Sequence, residues 1–240
     1  KANLEAKMDN GKTALIIAAE LGKLACLRLL LEAKANTSAT NHNGATAVIA
    51  AAGSGKPLSL QLLLDAKVDI NGKIESGVTP LIAAVMNGRL ACAQLLVDAK
   101  ADLEIKEDGG RTAVIAAANV GNLPCLRLLV EAKASPNTKG SRMTALFEAA
   151  RKGHLECVQV LLDAKANVDA GYNDGTTPLM VAAMEDHQAC VQMLIDARAN
   201  MELKAHDNWT ALFEAISSGN LRCVQLLVNA KADILVKDND

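Results

Sequence analysis

The sequence predicts an all-α solenoid of stacked helix–turn–helix units with projecting turn or hairpin fingers. Three observations predict it. A Thr-x-aliphatic phrase returns at Thr13, Thr46, Thr79, Thr112, Thr144, Thr177 and Thr210, at spacings of 33, 33, 33, 32, 33 and 33 residues. A period of that size belongs to arrays of small units that bury their apolar faces only against neighbours. Half of the 240 residues are apolar, yet only four, Phe147, Tyr172, Trp209 and Phe213, are aromatic. The core must therefore be Leu, Val, Ile and Ala, which suits thin, closely packed helices. Glycines recur in two slots: Gly11, Gly44, Gly77, Gly110 and Gly175 before the Thr, and Gly22, Gly55, Gly88, Gly121, Gly153 and Gly219 after it.

Taken in order, a partial unit (residues 1–7) precedes seven units at 8–40, 41–73, 74–106, 107–138, 139–171, 172–204 and 205–237, and residues 238–240 open a further one. The whole of 1–240 is read as one array. In the first unit Asn10-Gly11 makes a turn, and Thr13 is placed to cap the next helix by accepting from its free N–H groups. Leu15, Ile16, Ala18 and Ala19 line a short helix that Gly22 ends. Leu24, Leu27, Leu30 and Leu31 then recur at helical spacing, with Arg28 and Glu32 on the wet side. Later units repeat this order, with Pro80 and Pro178 at the first helical position, where a fixed φ is suited. In the last unit Asn208 replaces the turn glycine, the residue next best able to adopt the left-handed conformation. The fifth finger is irregular: the chain is one residue short around Ser135-Pro136-Asn137, and Arg142 stands for the turn glycine. That finger should be misaligned with its neighbours.

Six cysteines, Cys26, Cys92, Cys125, Cys157, Cys190 and Cys223, each lie 13 residues after their unit's Thr, and Ser59 fills the same slot. One residue per unit is a structural slot. Neighbouring helices pack about 8–10 Å apart, and a disulfide needs Cα atoms within about 7 Å. Buried free thiols are expected, which favours a cytoplasmic or nuclear location. Lys1-Ala2-Asn3 matches the end of a unit and Asp238-Asn239-Asp240 the start of another, so the chain is expected to be an excerpt of a longer array.

The period, Thr-x-Leu, Ala-Ala, Gly and Leu-Leu together resemble the ankyrin repeat, whose unit carries Thr-Pro-Leu-His-x-Ala. The resemblance covers the whole chain. Two features depart from it. The family's His is absent, and Ile16, Ile49, Ile82, Ile115, Phe147, Met180 and Phe213 stand there, which should make that layer greasier and less hydrogen-bonded. The family's helix-ending Gly is replaced by Lys34, Lys67, Lys100, Lys133, Lys165, Arg198 and Lys231. A cation suits a helix C-terminus, and Glu32, Asp65, Asp98, Glu131, Asp163 and Asp196, two residues earlier, offset it. A solvated edge is favoured over a cationic ridge for an acidic partner or lipid. Either a positive φ or a different cap could accommodate these cations.

The resemblance implies a curved stack whose turn fingers and first helices line a concave face where partner proteins dock. Turn positions there include Asp174 and Thr176. Candidate partner-binding residues concentrate in the last three units: Trp209, Met184, Met143, Arg151, Lys152, Glu185, Asp207 and Glu214. Trp is enriched at interface hot spots, and Met offers adaptable apolar contact. Trp209 could instead fold back onto a following repeat.

No phosphate loop, metalloprotease helix, nucleophile elbow or Cys-x-x-Cys appears. His154 and His187 occupy equivalent interhelical positions and read as structural. No catalytic residue, metal or cofactor is expected, nor a small-molecule substrate. The net charge of −2 favours no nucleic acid. No apolar run approaches the ~18 residues of a membrane span, so no membrane insertion is expected either. The expected function is a non-enzymatic protein–protein interaction scaffold. The alternatives are an architectural subunit or spacer in a large assembly, or a regulatory array of a longer multidomain protein.

Overall fold

The computed structural model describes residues 3–205 and 208–233. Among them the chain is all helical apart from turns and one isolated bridge between Lys7 and Thr13. The predicted helix pairs are present. The chain forms two compact units, residues 1–113 and 114–240. The first holds the pairs α1 (Ala14–Leu21) and α2 (Leu24–Glu32), α3 (Ala47–Gly53) and α4 (Pro57–Asp65), and α5 (Pro80–Met86) and α6 (Leu90–Asp98). The second holds α7 (Ala113–Val120) and α8 (Leu123–Glu131), α9 (Ala145–Arg151) and α10 (Leu155–Asp163), α11 (Pro178–Met184) and α12 (Gln188–Asp196), and α13 (Ala211–Ser217) and α14 (Leu221–Asn229).

Each helix starts and stops for local reasons. Oγ1 of Thr13, Thr79, Thr144 and Thr177 accepts from the N–H three residues on, closing one orphan donor per helix. The first helices are Ala-rich and run for only 7 or 8 residues. Ala lets helices approach closely, so α3 packs on α1 and α5 in the first unit, and α11 on α9 and α13 in the second. The second helices stack likewise, α4 between α2 and α6, and α12 between α10 and α14. Leu60, Leu63, Leu96, Leu129, Leu161 and Leu194 are fully enclosed between them. Each such burial stabilises by roughly 1.5–3 kcal/mol.

The eleven glycines of the two sequence slots are those with positive φ among the described residues, and Asn208 joins them at 60°. In the sixth pair Asp186 takes the interhelical position at φ 58°. The cations at the helix ends resolve the open question of their cap. Lys34, Lys67, Lys100, Lys133, Lys165, Arg198 and Lys231 all sit left-handed, with φ between 55° and 69°. At Lys34 the N–H donates to the Leu31 carbonyl at 3.0 Å, and Ala35 N–H to that of Leu30 at 3.0 Å. This is the Schellman closure usually built on Gly, and a side chain there costs about 1 kcal/mol or more per position. The acid two residues earlier pairs elsewhere: Asp65, Asp98, Asp163 and Asp196 accept from Gln61, Gln94, Gln159 and Gln192 four residues back.

Two expectations need correction at the first pair. Cys26 is exposed, whereas the other five thiols are buried. Leu30 is only half-buried, whereas its equivalents Leu63, Leu96 and Leu161 are fully enclosed. The cysteine slot is covered from the preceding pair, as Cys92 Sγ meeting the Ala51 carbonyl at 4.0 Å shows. No pair precedes α1 and α2 among the described residues. Ser59, in the same slot as the cysteines, is buried with no hydrogen-bond partner for its hydroxyl. The layer of the missing His is apolar as expected: Ile16, Ile82, Ile115 and Met180 are each 1% exposed. Phe213 is the exception at 37%.

Candidate functional site

The fingers differ between the two units. In the first, backbone bonds join one finger to the next: His42 N–H to the Asn10 carbonyl, Glu75 to Asn43, and Asp108 to Ser76, at 3.2, 3.3 and 3.0 Å. Each of these fingers closes on a bond across four residues, such as Met8 N–H to the Lys12 carbonyl. The fifth finger lacks a residue and closes across three, Gly140 N–H to the Met143 carbonyl at 2.8 Å. Side chains link it to the sixth finger instead. Asn173 Nδ2 donates to the Ser141 carbonyl at 3.1 Å, and Arg142 Nη1 to Tyr172 Oη at 3.0 Å.

Beside this irregular finger lies a hollow of about 500 Å³, within the range of small ligand sites. Phe147 and Arg151 enter from α9 one turn apart, and Val181 and Met184 from α11. Met143 and Tyr172 close the finger side, and Asp174, Thr176 and Glu214 complete the wall. The Phe147 and Tyr172 rings lie 5.9 Å apart at 32°, an offset contact that fixes both. Asp174 is held by Thr176 N–H donating to Oδ1 at 2.8 Å.

Under the hollow sits a carboxylate that is almost fully enclosed. Glu148 is 3% exposed, and its Oε2 accepts from Arg151 Nη2 at 2.6 Å, Arg151 Nε at 3.1 Å and Asn119 Nδ2 at 3.0 Å. Arg151 is held at its other end too, since His187 Nε2 lies 3.1 Å from its carbonyl. The wall is thus preorganised, with the arginine committed to a buried partner. His154 likewise meets the Asn119 carbonyl at 3.3 Å and lies against Gly121, so both histidines act as struts between pairs.

Of the sequence candidates, Met143, Arg151, Met184 and Glu214 come together around the hollow. Lys152 and Glu185 follow α9 and α11 as exposed C-caps and do not line it. Trp209 is 38% exposed in the last finger, where its carbonyl accepts from Ala205 N–H at 3.0 Å. It stands apart from the hollow. Asp207 lies outside the described residues. Sequence reasoning did not single out Phe147, Tyr172, Val181 or the buried Glu148. The available signal was the short finger next to the chain's one Tyr, with an aromatic in the His slot.

The thiols offer no reactive centre inside the stack. Burial pushes Cys157 and Cys190 up to about 11, and the charge of Glu156 adds to it. Burial and the Asp186 carboxylate, which accepts from Sγ at 3.4 Å, push Cys223 up to about 12. In the first unit, burial raises the carboxyl of Glu107, but hydrogen bonds from Arg111 prevail and hold it below its ordinary range. Among the described residues no group of three or more His, Cys, Asp and Glu could hold a metal ion. No described helix is long and apolar enough to cross a membrane.

A family model of ankyrin repeats, built as three copies, matches residues 1–74, 33–107, 81–172 and 166–238. Among solved structures the chain is similar to the human ASB11 ankyrin repeat domain, at 24% identity and a TM-score of 0.81, over 92% of this chain and 99% of that one. It is similar as well to the ankyrin repeat domain of Bcl-3, a unique member of the IkappaB protein family, at 26% identity and a TM-score of 0.80, over 92% and 100%. No curated protein matches the sequence.

Proposed function

The chain belongs to the ankyrin repeat family, and from that premise we propose that it is a non-enzymatic scaffold that binds a partner protein through its fingers and first helices. In this family those elements line the concave side of the stack. Ankyrin repeat domains are typically protein–protein interaction modules and generally non-catalytic. The observation that carries the proposal is the hollow that gathers Met143, Arg151, Met184 and Glu214. Its walls are helices and a pinned finger, so little conformational entropy is lost when a partner is bound. We further read 1–240 as one array with the repeat bounds given above. The free buried thiols support a reducing compartment, the cytoplasm or nucleus.

The test is affinity capture from the native source with the intact chain and a Met184→Ala, Trp209→Ala variant. Arg151 is left intact, because it holds Glu148 and its removal would disturb the fold. A stoichiometric partner lost only from the variant is expected. A partner retained by both would move the contact to another surface. One observation favours the architectural alternative: Ile216, Leu221 and Val228 on α13 and α14 are 55%, 75% and 44% exposed. Packing of that apolar surface in an assembly would retain the partner in the variant.

A further inference from the structure

We infer that Asn71 is a self-modification site. The peptide nitrogen of Gly72 attacks the Asn71 side-chain amide, and the asparagine becomes aspartate or isoaspartate. One of these products releases a clamp between the second and third helix pairs.

The reaction needs an amide followed by a residue with no side chain to obstruct attack, and a peptide N–H that is not otherwise engaged. Asn-Gly occurs four times, at Asn10-Gly11, Asn43-Gly44, Asn71-Gly72 and Asn87-Gly88. Three of these are locked. Gly11, Gly44 and Gly88 sit left-handed at φ 77°, 78° and 68°. Their N–H groups donate to the carbonyls of Met8, Asn41 and Val85 at 2.8, 3.0 and 3.1 Å. A nitrogen held in such a bond must leave it before it can attack. Gly72 differs in both respects. Its φ is not positive, and among the described residues its N–H enters no hydrogen bond.

The groups around Asn71 favour the step. Its Oδ1 accepts from Asp102 N–H at 3.0 Å, a donor placed at the oxygen on which charge develops as Cγ is attacked. Asp69 stands beside the nucleophile. Its Oδ1 accepts from Asn71 N–H at 2.9 Å, and its Oδ2 is 3.2 Å from where a Gly72 side chain would begin. A carboxylate so placed can take the proton that the peptide nitrogen gives up. Asn71 and Gly72 are half-buried, so water reaches them. The bond from Gly72 N to Asn71 Cγ forms, the Cγ–Nδ2 bond breaks, and Nδ2 leaves as ammonia with that proton. Water then opens the succinimide ring. Cleavage at Cγ gives aspartate, and cleavage at the main-chain carbonyl gives isoaspartate, whose backbone runs through one extra methylene.

The two products differ at the clamp. In other loops Glu5, Asn137, Asp169 and Glu202 take the part of Asn71, accepting from the N–H groups of Asn36, Asn167, Asn200 and Asp233. A carboxylate serves there as well as an amide, so aspartate keeps the bond to Asp102. Isoaspartate shifts the chain and loses it.

The experiment incubates the full chain in warm, mildly alkaline buffer, with the chain in urea as unfolded reference. Peptide mapping by mass spectrometry follows amide-to-acid conversion at all four asparagines. In the folded chain Asn71 is expected to convert at least about tenfold faster than Asn10, Asn43 and Asn87, the factor that one surrendered hydrogen bond imposes. In urea the four should convert alike. Gly72→Ala should suppress conversion at Asn71, and Asp69→Asn, which keeps an acceptor for Asn71 N–H, should slow it. Amide exchange at Asp102 should quicken in the isoaspartyl fraction and stay unchanged in the aspartyl one. Folded-state conversion of all four at one rate, or an Asn71 that stays intact while the urea reference converts, would overturn the site. An unchanged rate in Asp69→Asn would overturn the role of that carboxylate, and equal Asp102 exchange in both fractions would overturn the clamp.

Discussion

The pairs α1/α2 and α9/α10 share a sequence pattern slot for slot and differ in what surrounds them. Leu30 and Leu161 fill one slot, yet Leu30 is half-buried and Leu161 is fully enclosed. Cys26 and Cys157 fill another, one exposed and the other 2% exposed. Each pair also carries an ion pair at 2.6 Å, with different burial. Lys12 and Glu20 keep 25% and 32% of their side chains exposed, whereas Arg151 and Glu148 keep 33% and 3%. Around α9/α10 both flanks are covered, by Asn119 of α7 on one side and by α11 on the other. Among the described helices, α1/α2 pack against α3 and α4. A slot chooses the residue type, and the neighbouring pairs choose how much that residue stabilises and whether it is chemically accessible.

The comparison is most easily broken with leucines. Leu161→Ala should destabilise by about 2–5 kcal/mol, as a cavity between packed helices does. Leu30→Ala should cost about 1 kcal/mol, because half of its surface already faces water. Denaturant melts of both variants check this, and equal losses would show that cover from neighbouring pairs does not matter.

Next in size are the ion pairs. Arg151→Ala leaves Glu148 enclosed with only Asn119 to satisfy it, an expected loss of about 2–3 kcal/mol, discounted because the arginine is partly exposed. Lys12→Ala removes a solvated pair and should stay within about 0.5 kcal/mol of the parent. A urea midpoint unchanged in both would mean that the Glu148 contact carries no stability.

The smallest effect concerns the thiols and sharpens the comparison chemically. Burial raises the folded-state value of Cys157 to about 11 from an ordinary 9.0. Between those values the unfolded chain has released the proton and the folded chain still holds it. Stability is therefore full below pH 9 and falls as pH rises toward 11, by roughly 1 kcal/mol for this thiol at pH 10. Cys157→Ala should flatten that alkaline decline. Under native conditions a thiol reagent should modify Cys26 rapidly and the five buried thiols slowly. Modification of all six at one rate would contradict the assigned burial.

The candidate site was legible in part. Met143, Arg151, Met184 and Glu214 were found because each occupies a slot whose neighbours in other repeats vary, at finger and first-helix positions. Phe147 and Tyr172 were not, since their contact spans 25 residues and depends on a finger closed one residue early. Nothing within its own short helix marks Glu148. Its burial depends on Asn119, 29 residues away and on another pair. Trp209 attracted attention by residue type alone, and it is not among the residues that line the hollow.

The sequence by itself determined what acts within a few residues. It set the helix starts at Thr, the stops at Gly, the left-handed turns, and the repeat that stacks one pair on the next. These depend on backbone sterics and on hydrogen bonds between positions three to five apart, which any short stretch of sequence carries in full. Tertiary structure decided the rest. The left-handed seat of the lysines follows from the closure bonds of a formed helix, and the exposure of Cys26 and Leu30 from helix cover on one side alone among the described residues. The pinned arginine and the hollow beside it arise only when residues from separate repeats meet. Burial and electrostatic balance are sums over neighbours in space, and a repeating sequence writes the same slot many times without saying which copy is covered.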